Sequence, residues 1–357
     1  MYKIILFIYF SFIFSEIPIN YYESAEGLIG ENLKIALHEI IDNHNVQSYG
    51  SLHDHFESTD RKFNNTVWDM YSDNPNGSPD YVYNFTSSDQ CGNYSGEGDC
   101  YNREHSWPKS WFNNASPMNS DLFHLYPTDG YVNSHRGNYP YGDVGSPTWI
   151  STNGSKKGSC SNPGYSGIVF EPIDEYKGDF ARTYFYMSTR YYNEDSSWDN
   201  TDMTNGAELK EWAVSVLLYW HQLDPVSDKE INRNEEIYLI QGNRNPFIDH
   251  PEWVDCIWTN DCVLSVSSPK NKINEKIINS FNKNNSTFFE IEFETHQTIK
   301  IEIYNLNGKK VVEIFNGLSN IGINHWKINH SNISSGIYLI QVQTPLKTFS
   351  EKFTVLN

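Results

Sequence analysis

Two short stretches of this chain carry residue types that could do chemistry together. Tyr101-Asn102-Arg103-Glu104-His105-Ser106-Trp107-Pro108 sets a carboxylate directly beside an imidazole, and Val132-Asn133-Ser134-His135-Arg136-Gly137-Asn138 adds an amide and a guanidinium. Carboxylate and amide oxygens are hard ligands suited to Mg2+ or Ca2+. An imidazole takes a proton from water near neutral pH, and a guanidinium clamps phosphate through paired hydrogen bonds. The set suits metal-assisted cleavage of a phosphodiester. In an extended first stretch, Glu104 and His105 point to opposite sides, so one can face a metal and the other the attacking water. On a helix, Arg136 lies one turn after Asn133 on the same face. Arg136 is the first candidate for holding the phosphate, and a buried ion pair with an acid such as Asp121 is its structural alternative. His135 would point away. The plainer reading makes Trp107, Trp111 and Phe112 core residues and His105 the cap of a turn.

The surrounding pattern predicts an α+β fold. Residues 27–45 read as an amphipathic helix through Leu33, Ile35, Leu37, Ile40 and Ile41. Residues 81–85 read as a strand, and 179–192, 206–221 and 227–241 as helices, the last ended by Gly242 with Pro246 beyond. Residues 1–16 have the form of a secretory signal, with Lys3 and an apolar run too short to span a bilayer. The expected boundaries are 17–263 for the catalytic domain, 264–284 for a Ser/Lys/Asn-rich linker and 285–357 for a C-terminal module. Alternating runs such as Ile299-Lys300-Ile301-Glu302-Ile303 and Gly336-Ile337-Tyr338-Leu339-Ile340, with a turn at Asn305-Leu306-Asn307-Gly308, make that module a small all-β sandwich. No segment beyond the leader could cross a membrane.

Five cysteines fit an oxidising compartment. Cys91 with Cys100 and Cys256 with Cys262 each bracket a short loop and are expected to form local disulfides, leaving Cys160 free. No spacing resembles a zinc site. The charge balance is less accommodating. The formal net charge is −19, and residues 17–267 hold 15 Lys+Arg against 37 Asp+Glu. Proteins that follow nucleic acid by counterion release are usually basic. The expected resolution is local focusing in a cleft lined by Arg103, Lys109, Arg136, Arg182, Arg233 and Arg244.

The stretch from Asn102 to Pro108 resembles the endonuclease I family of the His-Me finger (ββα-metal) superfamily. The likeness continues through Asp121-Leu122-Phe123-His124-Leu125-Tyr126-Pro127, Asn133 to Asn138, Gly178 to Arg182 and Gln241 to Pro251, covering roughly residues 27–255. It implies a mostly helical His-Me finger domain that cleaves DNA and often RNA without sequence preference, leaving 5′-phosphate ends. By the same resemblance, His105 is the general base, and Glu104 and Asn133 hold Mg2+, with Ca2+ or Mn2+ possible. Arg103, His124 and Asn138 are expected to contact substrate, with His124 equally readable as orienting His105 or as a core residue. Periplasmic relatives take a phosphate-stabilising arginine from a long cysteine-rich insert. Here only 15 residues separate His105 from Asp121, and no counterpart stands out. The C-terminal runs resemble the sorting domain of type IX secretion cargo, which implies that machinery as a partner and a secreted or surface location. A monomeric secreted nuclease is the leading expectation. A retired nuclease scaffold serving as a surface adhesion protein is the alternative, favoured by the acidic charge.

Overall fold

The computed structural model describes residues 17–259, 262 and, within 277–355, all but 283–285, 294–297, 306–307, 321, 331–332 and 345–347. The leader 1–16 and most of the 264–284 stretch lie outside the described residues. The chain divides into two compact units, Met1–Ser265 and Val266–Asn357.

In the first unit, α1 (Gly30–Ile41) buries Leu33, Leu37 and Ile41, a stripe of four-residue spacing. The short helix α2 (Leu52–Thr59) follows. Strands β1 (Tyr101–His105) and β2 (Leu125–Asp129) pair antiparallel, with Glu104 opposite Tyr126 and His105 opposite Leu125. The chain passes from β2 straight into α3 (Gly130–Arg136), because the Asp129 side chain caps that helix by accepting from the Val132 amide at 2.8 Å. A three-stranded antiparallel sheet comes next, of β3 (Val144–Ile150), β4 (Lys156–Cys160) and β5 (Ile168–Glu171). Helix α4 (Lys177–Arg190) is buried along its whole length and packs against α1 and α5. Strands β6 (Thr204–Asn205) and β7 (Glu208–Leu209) form a tiny hairpin around Gly206, so α5 runs Glu211–Leu223 and starts later than its hydrophobic pattern predicts. Helix α6 (Asp228–Gln241) opens on a capping box between Ser227 and Glu230 and closes on left-handed Gly242. Short helices α7 (Pro246–Asp249) and α8 (Trp253–Trp258) complete the unit.

Residues 81–85 are not a strand. Thr66 and Asn84 form an isolated bridge, and the stretch otherwise runs irregularly past Val67. The sheet β3–β5 went unanticipated, since Gly145, Pro147 and Gly158 interrupt the alternation that marks a strand. Cys91–Cys100 and Cys256–Cys262 lie at disulfide distance, and Cys160 is free.

The second unit is all β. Strands β8 (Ile277–Asn282), β9 (Ser286–Phe293) and β12 (Gly322–Asn329) form one antiparallel sheet. Strands β10 (Thr298–Asn305), β11 (Lys310–Leu318), β13 (Gly336–Gln343) and β14 (Thr348–Val355) form the other. Phe289, Ile291, Ile301, Ile303, Ile340 and Val342 from both sheets bury one shared core.

Candidate active site

Strand β1 delivers Glu104 and His105 side by side, and α3 crosses it with Asn133 and Arg136. Glu104 is buried. Its Oε1 accepts from the Tyr71 hydroxyl at 2.9 Å and lies 3.2 Å from Arg136 Nη1. Burial raises the Glu104 pKa, and the Arg136 charge and the Tyr71 hydrogen bond work against that rise. Arg136 also donates to the His105 carbonyl at 2.9 Å, to the Ser106 carbonyl and to the Tyr184 hydroxyl, and it lies 4.6 Å over the Tyr141 ring. At 1% exposure this guanidinium is not available to a phosphate. The phosphate-holding expectation for Arg136 is corrected: the arginine fixes Glu104 and the end of β1. Its acid is Glu104 and not Asp121, whose carboxylate accepts from Tyr186, Tyr191 and Gln241.

His105 is held on two sides. Its Nε2 lies 3.2 Å from the Asn119 carbonyl, and its ring stacks on Tyr49 at 6.0 Å between centroids and 17° between planes. A carbonyl only accepts, so Nε2 carries the hydrogen and Nδ1 keeps the lone pair. Burial drives the His105 pKa well below the ordinary value. Neighbouring His124, Lys109 and Arg103 push the same way, and the Asn119 bond opposes them. The imidazole is therefore neutral at physiological pH. Arg103 lies 4.1 Å over the other partner, the Tyr49 ring, and donates to the Tyr49 carbonyl at 2.9 Å. Sequence reading missed Tyr49, Tyr71 and Asn119, because each comes from a segment with no motif of its own. His124 is fully buried, bonded to the Met118 carbonyl at 2.7 Å, with its ring 5.5 Å from His105. Its expected substrate contact is corrected on that burial: the ring packs against His105 inside the core.

Asn133 is half-buried and donates from Nδ2 to Asn102 Oδ1 at 2.7 Å. Among the described residues, Asn133 Oδ1 and Glu104 Oε2 have no hydrogen-bond donor. A spare amide oxygen and a spare carboxylate oxygen, on facing elements, are a donor set that fits a hard divalent cation. A second group, His38, Asp42 and Glu194, also brings ligand-type atoms together. There the Arg190 guanidinium already bridges Asp42 at 2.8 Å and Glu194 at 2.9 Å, so the positive charge is supplied by the protein.

The distribution of cations resolves the charge conflict in an unexpected way. Arg182 pairs with Glu230, Arg233 with Asp60, and Arg244 with Glu235 and Asp249, all of these arginines buried. The cleft expected to include them does not. Of the 15 Lys and Arg in residues 17–267, only Arg103, Lys109, Lys157 and Lys210 lack a carboxylate within 4.0 Å among the described residues. All four border the β1–β2–α3 unit. Arg103 is on β1, and Lys109 lies just after it, exposed. Lys157 touches His135 of α3, and Lys210 lines a cavity of about 470 Å3 with Asn138 and Trp111. Asn138 is exposed there.

Residues 29–252 match the family model of endonuclease I, and residues 284–356 match the secretion system C-terminal sorting domain. The chain is 39% identical to an extracellular ribonuclease of Bacillus subtilis, over 67% of this chain and 78% of that protein. It is 40% identical to an extracellular ribonuclease of Bacillus amyloliquefaciens, with the same two coverages, 67% and 78%. An extracellular deoxyribonuclease of Aeromonas hydrophila is 30% identical over 37% of this chain and half of its own length. The protein is thus a nuclease, a hydrolase of phosphodiester bonds. The chain belongs to the endonuclease I family, and its type IX sorting domain marks it for secretion or the cell surface. No helix among the described residues is long and apolar enough to cross a membrane.

Proposed function

We propose that the protein is a divalent-metal-dependent endonuclease that hydrolyses both RNA and DNA without sequence preference, leaving 5′-phosphate ends. The observation that carries this reading is the tethered, neutral His105 beside Glu104, with Asn133 over the same strand. Relatives named for ribonuclease and for deoxyribonuclease activity support the dual substrate. Nδ1 of His105 takes the proton of the attacking water, while the Asn119 carbonyl and the Tyr49 ring hold the imidazole in place. Glu104 and Asn133 hold the divalent ion, taken as Mg2+ with Ca2+ or Mn2+ as alternatives. The chemistry such an ion supplies is polarisation of the phosphate and stabilisation of the departing 3′-oxygen. Arg136 opposes the protonation that burial favours at Glu104 and aims its carboxylate. Arg103, Lys109 and Asn138 stand on the substrate side, where contacts to phosphate and sugar read no base.

Digestion of supercoiled plasmid and of RNA by the purified protein, with Mg2+ or with EDTA, tests the proposal. Cleavage to 5′-phosphate ends in Mg2+ only is the expected result. Equal cleavage in EDTA would contradict the metal. No cleavage with any divalent ion would transfer the case to the adhesion-protein alternative.

A further inference from the structure

One cluster of aromatic and basic side chains lies outside the core and outside the catalytic pair. On α3, His135 follows Asn133 by two residues, and Tyr139 lies three residues past the helix end. The His135 ring stacks on Trp149 of β3 at 4.1 Å with 6° between planes, and Tyr131 meets His135 edge-on at 4.8 Å. Lys157 of β4 is in register with Trp149. Its Nζ lies 3.4 Å from His135 Nδ1 and 5.5 Å from the Tyr139 ring centre. Tyr139 is 40% exposed, Trp149 and Lys157 are half-buried, and residues 145–148 beside them are exposed. Lys157 is also one of the four cations without a carboxylate, on a chain of net charge −19.

We infer that Tyr139, Trp149 and Lys157 form a platform for unpaired bases flanking the scissile phosphate, which makes the enzyme favour single-stranded nucleic acid over duplex. The inference rests on the nuclease reading above and extends it to substrate form. Three features argue for this occupant. Flat aromatic rings at a partly open surface offer stacking to any base, and a cation beside them tracks the backbone. A cation left uncompensated on so acidic a surface complements a polyanion. The element that presents His135 also presents Asn133, so a strand crossing the platform runs past the metal-binding side chains. Paired bases keep their faces stacked inside the duplex and gain nothing from such rings.

The test compares kcat/KM of the full chain on an oligouridylate and on an RNA duplex of the same length, in Mg2+. For Trp149→Ala and Tyr139→Ala the single-strand-to-duplex ratio should fall roughly tenfold per ring removed. Trp149→Phe and Tyr139→Phe, which keep a ring, should hold the parent ratio. Lys157→Ala should flatten the salt dependence of single-strand binding by about 0.7 in log–log slope, the share of one phosphate contact. A ratio unchanged in both alanine variants would overturn the inference, including a case in which both activities fall together because a variant folds poorly. A parent inactive on both substrates would instead sink the nuclease reading on which the inference stands.

Discussion

The two units of this chain solve the same problem of burial with different materials. The C-terminal sandwich buries Phe289, Ile291, Ile301, Ile303, Ile340 and Val342 from strands that alternate inside and outside, and pairs such as Lys310 with Glu313 stay half-exposed. The nuclease unit buries charge. Arg136, Arg182, Arg233 and Lys229 are each closed over a carboxylate in its interior, among a dense set of aromatic rings. A buried charge is tolerated only when paired and hydrogen-bonded. The difference teaches what frames the candidate site: a lattice of paired charges fills the interior, while Glu104 Oε2 and Asn133 Oδ1 have no hydrogen-bond donor among the described residues. By using up most cations internally, the lattice also confines the unpaired ones to the site's border.

Breaking the lattice should hurt most. Arg136→Ala leaves Glu104 buried without its charge partner and should cost about 3–5 kcal/mol of nuclease-unit stability, with activity lost as well. Urea unfolding checks this, and a cost under about 1 kcal/mol would mean that Glu104 takes up a proton or finds water instead. In the sandwich the corresponding blow is to apolar packing. Ile301→Ala should cost about 2–5 kcal/mol in that unit and leave nuclease rates unchanged. A matching loss of activity would show that the two units do not fold independently.

Asp121 sharpens the contrast through pH. Burial alone would raise its pKa, but neighbouring His44 and His124, with the Gln241 amide, hold it at about 2. A carboxylate depressed in the folded state adds stability above its ordinary value near 4 and loses it as pH falls through the folded value. Asp121→Asn should therefore cost roughly 2–3 kcal/mol at neutral pH, with the gap closing between about pH 4 and pH 2. A gap that stays constant with pH would refute the electrostatic account. At the small end, Glu313→Ala on the sandwich surface should shift stability by under about 0.5 kcal/mol.

What the sequence made legible follows the same division. The sandwich could be read because period-two alternation reports one buried face directly, and α6 because Ser227, Glu230 and Gly242 are local signals. Glu104, His105 and Asn133 could be singled out because their chemistry is rare and their spacing short. Arg136 looked like a phosphate clamp for the same reason, yet its role is set by Tyr141 and Tyr184 closing over it, contacts that no local pattern encodes. Tyr49 and Asn119 escaped notice since they reach His105 from distant segments. The sheet β3–β5, with the platform it carries, was hidden by its glycines and proline.

The most direct measurement sets His105→Ala beside the parent on plasmid and RNA in Mg2+, with thermal unfolding of both as a control on the fold. A base at this position predicts a loss of at least ~10²-fold with the unfolding transition retained. A variant that folds and cleaves within a few-fold of the parent would remove His105 from the chemistry and the central claim with it.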